Sequence, residues 1–133
     1  MKFNLNFFTD NTHNIWHIYI YYNDTDKYAY AVQDRLRGDI QASTEAANEE
    51  ILQIKRAKSE NQFSYSSMGN ACSVFFSNAG VTIENQFTGD KINDMPHEDM
   101  ILILNKWIEF ISNDAPLNFT WDSNVAWDVI TTK

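Results

Sequence analysis

Residues 96–112, PHEDMILILNKWIEFIS, form the stretch of the chain that decides the fold. Apolar side chains recur there every three or four positions, a spacing that predicts a helix with one broad apolar face. The residues of that face are Met100, Ile101, Leu104, Trp107, Ile108 and Ile111. Pro96 suits the first helical position, and the carboxylates of Glu98 and Asp99 lie where the helix dipole favours negative charge. A face this broad is enough to seat the helix on a sheet.

Segments with strand character lie on both sides of this helix. Residues 2–8 alternate apolar and polar side chains, as a half-buried strand does. Residues 15–22, IWHIYIYY, are β-branched and aromatic throughout, which is typical of a central strand with both faces covered. Residues 63–87 hold short strands joined by turns, and residues 88–94 have the composition of a polar loop. Residues 117–130 alternate loosely, which fits either a strand or a short helical turn followed by a strand.

The remaining segments complete a single domain over residues 1–133. A second helix is predicted at about residues 44–58, capped by Thr44, and residues 28–32 fit either a strand or the start of a helix. Only four glycines and two prolines occur, so flexible linkers are not expected. The sequence therefore predicts an α+β fold, in which an antiparallel β-sheet has helices packed mainly on one face.

Negative charge is concentrated in one part of the chain. Residues 84–128 carry nine acidic side chains against two basic ones, a net charge of −7, whereas residues 1–83 sum to −2 and Lys133 adds +1. The total of −8 disfavours nucleic-acid binding and docking on anionic membranes, because both depend on Lys and Arg. A field of one sign instead favours a cationic protein as the partner.

The chain has no signature of the secretory route or of a cofactor. Cys72 is the only cysteine, which excludes an intrachain disulfide and a cysteine-based zinc site. The first residues, MKFNLNFFTDN, contain no apolar run of signal-peptide length, and residues 100–104 are far too short to span a bilayer. We expect a reduced, cytoplasmic protein without a cofactor.

No pattern of catalytic side chains stands out. His13 and His17 would share a strand face but lie about 13 Å apart, and no third ligand follows at metal spacing, so no metal site is predicted. Residues 97–99, His-Glu-Asp, have the composition of an acid–base cluster, but adjacent helical positions point in different directions. We therefore assign no catalytic residue and expect a binding protein rather than an enzyme. The alternative is a small hydrolase, with His97, Asp99 and Glu84 as its candidate groups.

Aromatic side chains accompany the acidic stretch and supply candidate anchors for a partner. Trp107 falls on the apolar face of the helix and is assigned to the core, whereas Trp121 fits either a core position or an interface. Charge and side-chain type together give the candidate partner-binding residues: Asp90, Asp94, Glu98, Asp99, Asp122, Phe87 and Trp121.

Three segments carry a resemblance to a known family. They are residues 65–70 (YSSMGN), residues 81–87 (VTIENQF) and residues 98–111 (EDMILILNKWIEFI). A strand reading V-x-I-x-N-x-aromatic, a polar loop and a final helix reading I-L-x-x-W-x-x-F-I together resemble small bacterial immunity proteins of contact-dependent growth inhibition and related polymorphic-toxin systems. The resemblance covers about residues 63–112.

The resemblance implies a cytoplasmic protein that binds the C-terminal toxin domain of a cognate effector, with one copy neutralising one toxin. Such toxins are often nucleases, whose surfaces are basic because they hold phosphates. Interfaces diverge within these families, so no binding residue is transferred from the motif. Charge alone leaves open an acidic adaptor or regulatory module that binds another basic protein.

Overall fold

The computed structural model describes residues 1–132. Two antiparallel sheets and three α-helices make up the fold, with the following bounds: β1 Lys2–Asp10, β2 Ile15–Tyr21, a 3-10 turn Asp26–Ala29, α1 Tyr30–Asp34, a π-helical turn Arg35–Ile40, α2 Thr44–Ser59, β3 Tyr65–Met68, β4 Cys72–Ser77, β5 Gly80–Asn85, β6 Lys91–Met95, α3 His97–Asn113, β7 Leu117–Asp122 and β8 Asp128–Ile130. The predicted α+β fold is confirmed, with two sheets where the sequence suggested one.

The smaller sheet has three strands in the order β2-β1-β7. Strand β1 lies in the centre, and Phe3, Leu5 and Phe7 from alternate positions are almost completely buried. The prediction that residues 15–22 form a central strand is wrong, because β2 lies at the edge. Its outward aromatic rings stack on one another rather than under a second layer, as the contacts among His17, Tyr19 and Tyr21 show.

The larger sheet has five strands in the order β3-β4-β5-β6-β8. The prediction of a polar loop at residues 88–94 is wrong for residues 91–94, which belong to β6. This strand pairs with β5 and β8. Ile92 and Met95 both face the core although they are three residues apart. A register shift beside β5 and the left-handed backbone of Asp94 (φ 48°) place one extra residue between them. The period of two that marks a strand is therefore absent from this segment.

Helix α3 joins the two sheets through one continuous core. Trp107 is fully buried, its ring packs edge-to-face on Phe7 at 5.4 Å, and its indole Nε1 donates to the carbonyl of Gln41 at 2.8 Å. The prediction that Trp107 belongs to the core is confirmed. Pro96 is the residue that precedes the helix rather than its first residue, and Glu98 and Asp99 occupy the first turn as expected.

The other helical segments pack on the same core. Helix α2 is confirmed, but its cap is Ser43 rather than Thr44, because the Ser43 hydroxyl accepts from the Ala46 backbone N–H at 3.0 Å. Residues 28–32, left open between strand and helix, are helical. No helix within residues 1–132 is both long enough and apolar enough to cross a membrane.

Candidate functional surface

The five-stranded sheet has its helices on one face and leaves the other exposed. We call this exposed surface the outer face and define it by the side chains that point away from the helices: Ser66, Met68, Ser73, Phe75, Thr82, Glu84, Lys91, Asn93, Asp128 and Ile130. Cross-strand pairing places Phe75 between Ser66 and Thr82, and Glu84 opposite Lys91. Residues from all five strands thus form one continuous surface.

A shallow cavity of about 440 Å³ lies on the outer face. Met68 and Phe75 line it and are 73% and 44% exposed, so two apolar side chains lie open to solvent. Lys91 and Glu84 also line it, with Nζ 3.8 Å from Oε2. Exposed apolar groups beside polar ones are the composition of a protein interface.

Two carboxylates lie at the end of this surface where β6 meets β8. Asp94 accepts a 3.5 Å hydrogen bond from the hydroxyl of Thr82, and Asp128 accepts a 3.1 Å bond from the side-chain amide of Asn93. Both side chains are exposed, and neither forms an ion pair among the described residues. Their charge is therefore open to a cationic partner.

Phe87 projects from the loop between β5 and β6 and is 81% exposed. The side chain of Asn85 holds this loop, because its Oδ1 accepts from the backbone N–H groups of Phe87 at 2.8 Å and Thr88 at 2.9 Å. The Gln86 N–H donates to the carbonyl of Ala71, which fixes the loop against the β3–β4 turn. The asparagine of the V-x-I-x-N-x-aromatic motif thus presents an exposed ring on a hydrogen-bonded loop.

Two of the predicted partner-binding residues form a buried contact with each other. The carboxylate of Asp99 is 5% exposed and accepts from Trp121 Nε1 at 3.3 Å, Ser123 Oγ at 2.5 Å and Trp127 Nε1 at 2.8 Å. The Trp121 ring stacks on Phe3 at 5.2 Å. Asp99 and Trp121 therefore hold the C-terminal strands on helix α3, and their burial keeps both side chains away from a partner surface.

Asp90 is also buried, with 1% of its surface exposed. Its Oδ1 accepts from the Thr132 backbone N–H at 2.9 Å, and its Oδ2 accepts from the hydroxyl of Thr88 at 3.0 Å. These bonds tie the end of the described chain to the β5–β6 loop. Asp90 therefore has a structural role, because its carboxylate is buried.

The four exposed members of the predicted set do not form one patch. Phe87 lies in the loop before β6 and Asp94 near the far end of that strand, whereas Asp122 belongs to the other sheet, where its partner in the register is Lys2. Glu98 is paired with Lys58, and the hydrogen bond from that ammonium group lowers the pKa of its carboxyl. Only Phe87 and Asp94 border the outer face.

Sequence reasoning missed Met68, Phe75 and Asp128. The signal for Phe75 was present, because Cys72, Val74 and Phe76 alternate as the buried side of β4 and leave Phe75 on the opposite side. Met68 lies in the short edge strand β3, where no such pattern is readable. Asp128 was counted in the net charge, but its position opposite Asn93 depends on the pairing of β6 with β8.

The three side chains that the hydrolase alternative requires each interact with different partners. His97 Nε2 donates to the carbonyl of Ser77 at 2.6 Å, Asp99 is occupied by the two tryptophans and Ser123, and Glu84 faces Lys91 on the outer face. The three groups do not converge on one point where a reacting atom would lie.

The carboxylate of Asp10 lies close to both His13 and His17, which the strand spacing predicts to lie far apart. Its Oδ2 lies 3.2 Å from His13 Nδ1 and 3.9 Å from His17 Nε2, because a turn folds His13 back toward the strand. The hydrogen bond from His13 lowers the pKa of the Asp10 carboxyl. Among residues 1–132, no group of three His, Cys, Asp or Glu side chains has an arrangement that would hold a metal ion.

Comparison of the chain with protein-family models, with curated proteins and with solved structures yields no match.

Proposed function

We propose that the protein binds a basic partner protein through the outer face of the five-stranded sheet. The observation that carries this proposal is the presence, on the outer face and at its border, of exposed apolar side chains at Met68, Phe75 and Phe87 and of exposed carboxylates at Asp94 and Asp128. Apolar anchors supply the free energy of binding, and exposed carboxylates accelerate encounter with a cationic partner.

We further propose that the partner is the toxin domain of a contact-dependent inhibition or related system, and that the protein acts in the cytoplasm as its immunity protein. The resemblance of residues 63–112 to such proteins supports this step. The position of Asn85 and Phe87 adds to it, since the motif residues form the loop that presents the exposed ring. A toxin that cleaves nucleic acid has a basic substrate surface, and an acidic protein placed there would exclude the substrate.

Co-expression with the toxin domain encoded beside this chain tests the proposal. We expect growth rescue and a one-to-one complex whose association slows as salt is added, because screening weakens the steering by exposed charges. Failure to rescue, together with failure to co-purify, would remove that toxin as the partner.

The outer face itself is tested with the double variant Met68→Asp, Phe75→Asp. Both side chains are exposed, so we expect a folded protein that no longer forms the complex. The matched control is Leu52→Asp, which changes an exposed apolar residue on helix α2 that is 52% exposed. A complex that survives the double variant unchanged would show that the partner binds elsewhere.

A further inference from the structure

A second cavity, of about 280 Å³, lies on the exposed face of the three-stranded sheet, at the end where the chain leaves β2. The side chains that bring polar groups to its lining are Lys2, Asn4, Tyr21, Asn23, Asp24 and Thr120. Cross-strand pairing places Asn4 of β1 between Tyr21 of β2 and Thr120 of β7. The cavity therefore belongs to the smaller sheet and shares no lining residue with the outer face.

Tyr21 brings an aromatic ring to this cavity. Its ring ends a row along the outward side of β2, in which the Tyr19 ring lies 5.7 Å away with its plane 15° from that of Tyr21. The ring of His17 continues the row at 6.3 Å from Tyr19. Within residues 1–132, Tyr19 is the only aromatic partner of Tyr21, and Tyr21 is half-buried. The row thus holds the Tyr21 ring in position from one side and leaves part of it to the cavity.

The polar side chains offer a ligand both donors and acceptors. Asn4 Oδ1 accepts from the hydroxyl of Thr120 at 3.0 Å, which leaves the side-chain N–H groups of Asn4 without an acceptor among residues 1–132. Lys2 and Asp24 form no ion pair within the same residues, so an ammonium donor and a carboxylate acceptor are also open. A ligand that fits must therefore donate hydrogen bonds as well as accept them.

Asp24 lies in a tight turn whose backbone would suit a different residue. Tyr22 and Thr25 exchange backbone hydrogen bonds of 3.3 and 3.1 Å, and the two residues between them, Asn23 and Asp24, have left-handed backbones with φ of 51° and 59°. Glycine is favoured at the second position of such a hairpin turn, so an aspartate there strains the backbone. What Asp24 adds, and glycine lacks, is a carboxylate at the cavity.

The charge of the lining indicates the class of ligand. Lys2 and Asp24 balance each other, so the cavity is neutral in a chain whose net charge is −8. A phosphate group would meet a carboxylate with a single ammonium to hold it, and a cation would meet that ammonium. A neutral pyranose sugar meets neither obstacle. Its C–H groups form an apolar face for an aromatic ring, and its hydroxyls both donate and accept.

We propose that this cavity binds one pyranose ring of a neutral saccharide, with a C–H face on Tyr21 and hydroxyls bonded to Asn4, Asp24 and Lys2. The volume lies just below the range of about 300–1,000 Å³ for pockets that hold drug-sized ligands, which suits a single sugar ring. Because the cavity is separate from the outer face, the proposal does not depend on the immunity function.

The test uses the full chain and the neutral methyl glycosides of glucose, galactose, mannose and N-acetylglucosamine. Two-dimensional NMR follows the backbone amide signals of Asn4, Tyr21 and Thr120, which line the cavity. We expect saturable shifts with at least one glycoside and none with sorbitol, which has the hydroxyls but no ring. No saturable response to any glycoside, or an equal response to sorbitol, would overturn the proposal. A response to adenine alone would also overturn it, in favour of a planar base.

Variants of Tyr21 test the stacking contact. Tyr21→Thr removes the ring and keeps a residue that favours strands, and we expect it to weaken glycoside binding about tenfold or more. Tyr21→Phe retains the ring and should bind within about threefold of the wild type. The matched control is Tyr65→Thr, which changes a half-buried tyrosine in the edge strand β3 of the other sheet and should leave binding unchanged. Unchanged affinity in a folded Tyr21→Thr would overturn the proposal.

Variants of the polar groups keep the test decisive even if Tyr21→Thr does not fold. Asp24→Gly relieves the strained backbone, so we expect a protein at least as stable as the wild type that binds the glycoside about threefold or more weakly. Asn4→Ala should weaken binding similarly. Asn6→Ala is its control, because Asn6 points outward from the next pair of the same strand and does not line the cavity. Unchanged affinity in both Asp24→Gly and Asn4→Ala would contradict the proposed site.

Discussion

The carboxylate of Asp99, in the first turn of helix α3, accepts a 2.8 Å hydrogen bond from the indole nitrogen of Trp127, 28 residues further along the chain. Trp121 and Ser123 donate to the same carboxylate. The rings of both tryptophans stack on Phe3, at 5.2 and 4.5 Å. One acidic side chain thus links helix α3 to the C-terminal strands and, through the tryptophans, to β1.

Replacing Asp99 by alanine should therefore destabilise the protein. Three buried donors lose their acceptor, and we expect the free energy of unfolding to fall by about 3 kcal/mol or more. Urea denaturation followed by tryptophan fluorescence measures the change. The control is Asp94→Ala, an exposed acid, which should alter stability by less than about 1 kcal/mol. Equal stability of the two variants would contradict the role assigned to Asp99.

Replacing Gly69 by alanine should also be destabilising, because of close approach to a side chain. A Cβ at this position would lie 2.4 Å from Asp39 Cγ, and Asp39 is held by Arg35 and by two backbone N–H groups. Such overpacking costs about 1–3 kcal/mol, measurable as a loss of denaturation midpoint. The neighbouring variant Asn70→Ala should cost less than about 1 kcal/mol, and a Gly69→Ala protein as stable as Asn70→Ala would exclude this explanation.

The elements that the sequence predicted well are those whose signal is local. Residues 96–112 show helical periodicity along their whole length, and residues 2–8 alternate cleanly, so α3 and β1 were found. Strand β6 was missed because its extra residue at Asp94 removes the alternation. The edge position of β2 was missed because an aromatic composition does not show whether rings are covered by another layer or by one another.

The candidate surface was less predictable, because burial depends on tertiary contacts. Asp90, Asp94 and Asp99 look alike in the sequence, yet Asp94 is exposed while the other two accept hydrogen bonds in the interior. The donors to Asp99 lie more than 20 residues away. The buried ion pair of Arg35 and Glu50 links residues 15 positions apart. Arg35 begins a π-helical turn that no sequence pattern predicts.

The raised pKa of Glu50 predicts a specific pH dependence. A carboxyl that holds its proton more tightly in the native state than in the unfolded state lowers stability as pH rises above its ordinary pKa of 4.5. The loss of stability ends once the pH exceeds the pKa of Glu50 in the native state. Glu50→Gln shows no such loss, because a glutamine side chain does not titrate. We therefore expect the stability of Glu50→Gln relative to the wild type to increase with pH above 4.5.

Chemical denaturation of both proteins at intervals from pH 4 to pH 8 measures this difference. Glu45→Gln serves as the control, because Glu45 is exposed on the same helix and no pH-dependent difference is expected for it. A difference between Glu50→Gln and the wild type that is constant over this range would mean that burial does not raise the pKa of Glu50.

Neutralising Asp94 and Asp128 should slow association with a basic partner. Asparagine tolerates the left-handed backbone of Asp94, so Asp94→Asn, Asp128→Asn removes two charges with little effect on the fold. We expect an association rate about three- to tenfold lower at low salt, and a weaker salt dependence, in stopped-flow measurements with the proposed toxin partner.

The matched control for this pair is Asp24→Asn, Asp26→Asn. It removes the same charge from the exposed connection after β2, and Asp24 shares the left-handed backbone (φ 59°). Equal slowing by both pairs would mean that net charge, rather than the outer face, steers association.

Replacing Phe87 by alanine should weaken binding to the partner while leaving the stability of the protein nearly unchanged. Its ring is 81% exposed, so Phe87→Ala should change the free energy of unfolding by less than about 0.5 kcal/mol. The loop that carries it is already held by Asn85, so little ordering is needed when the ring packs on a partner. We expect at least tenfold weaker binding by isothermal titration calorimetry, and unchanged binding for the control Leu52→Ala. A Phe87→Ala protein that binds the toxin domain as tightly as the wild type would show that this ring is not an anchor.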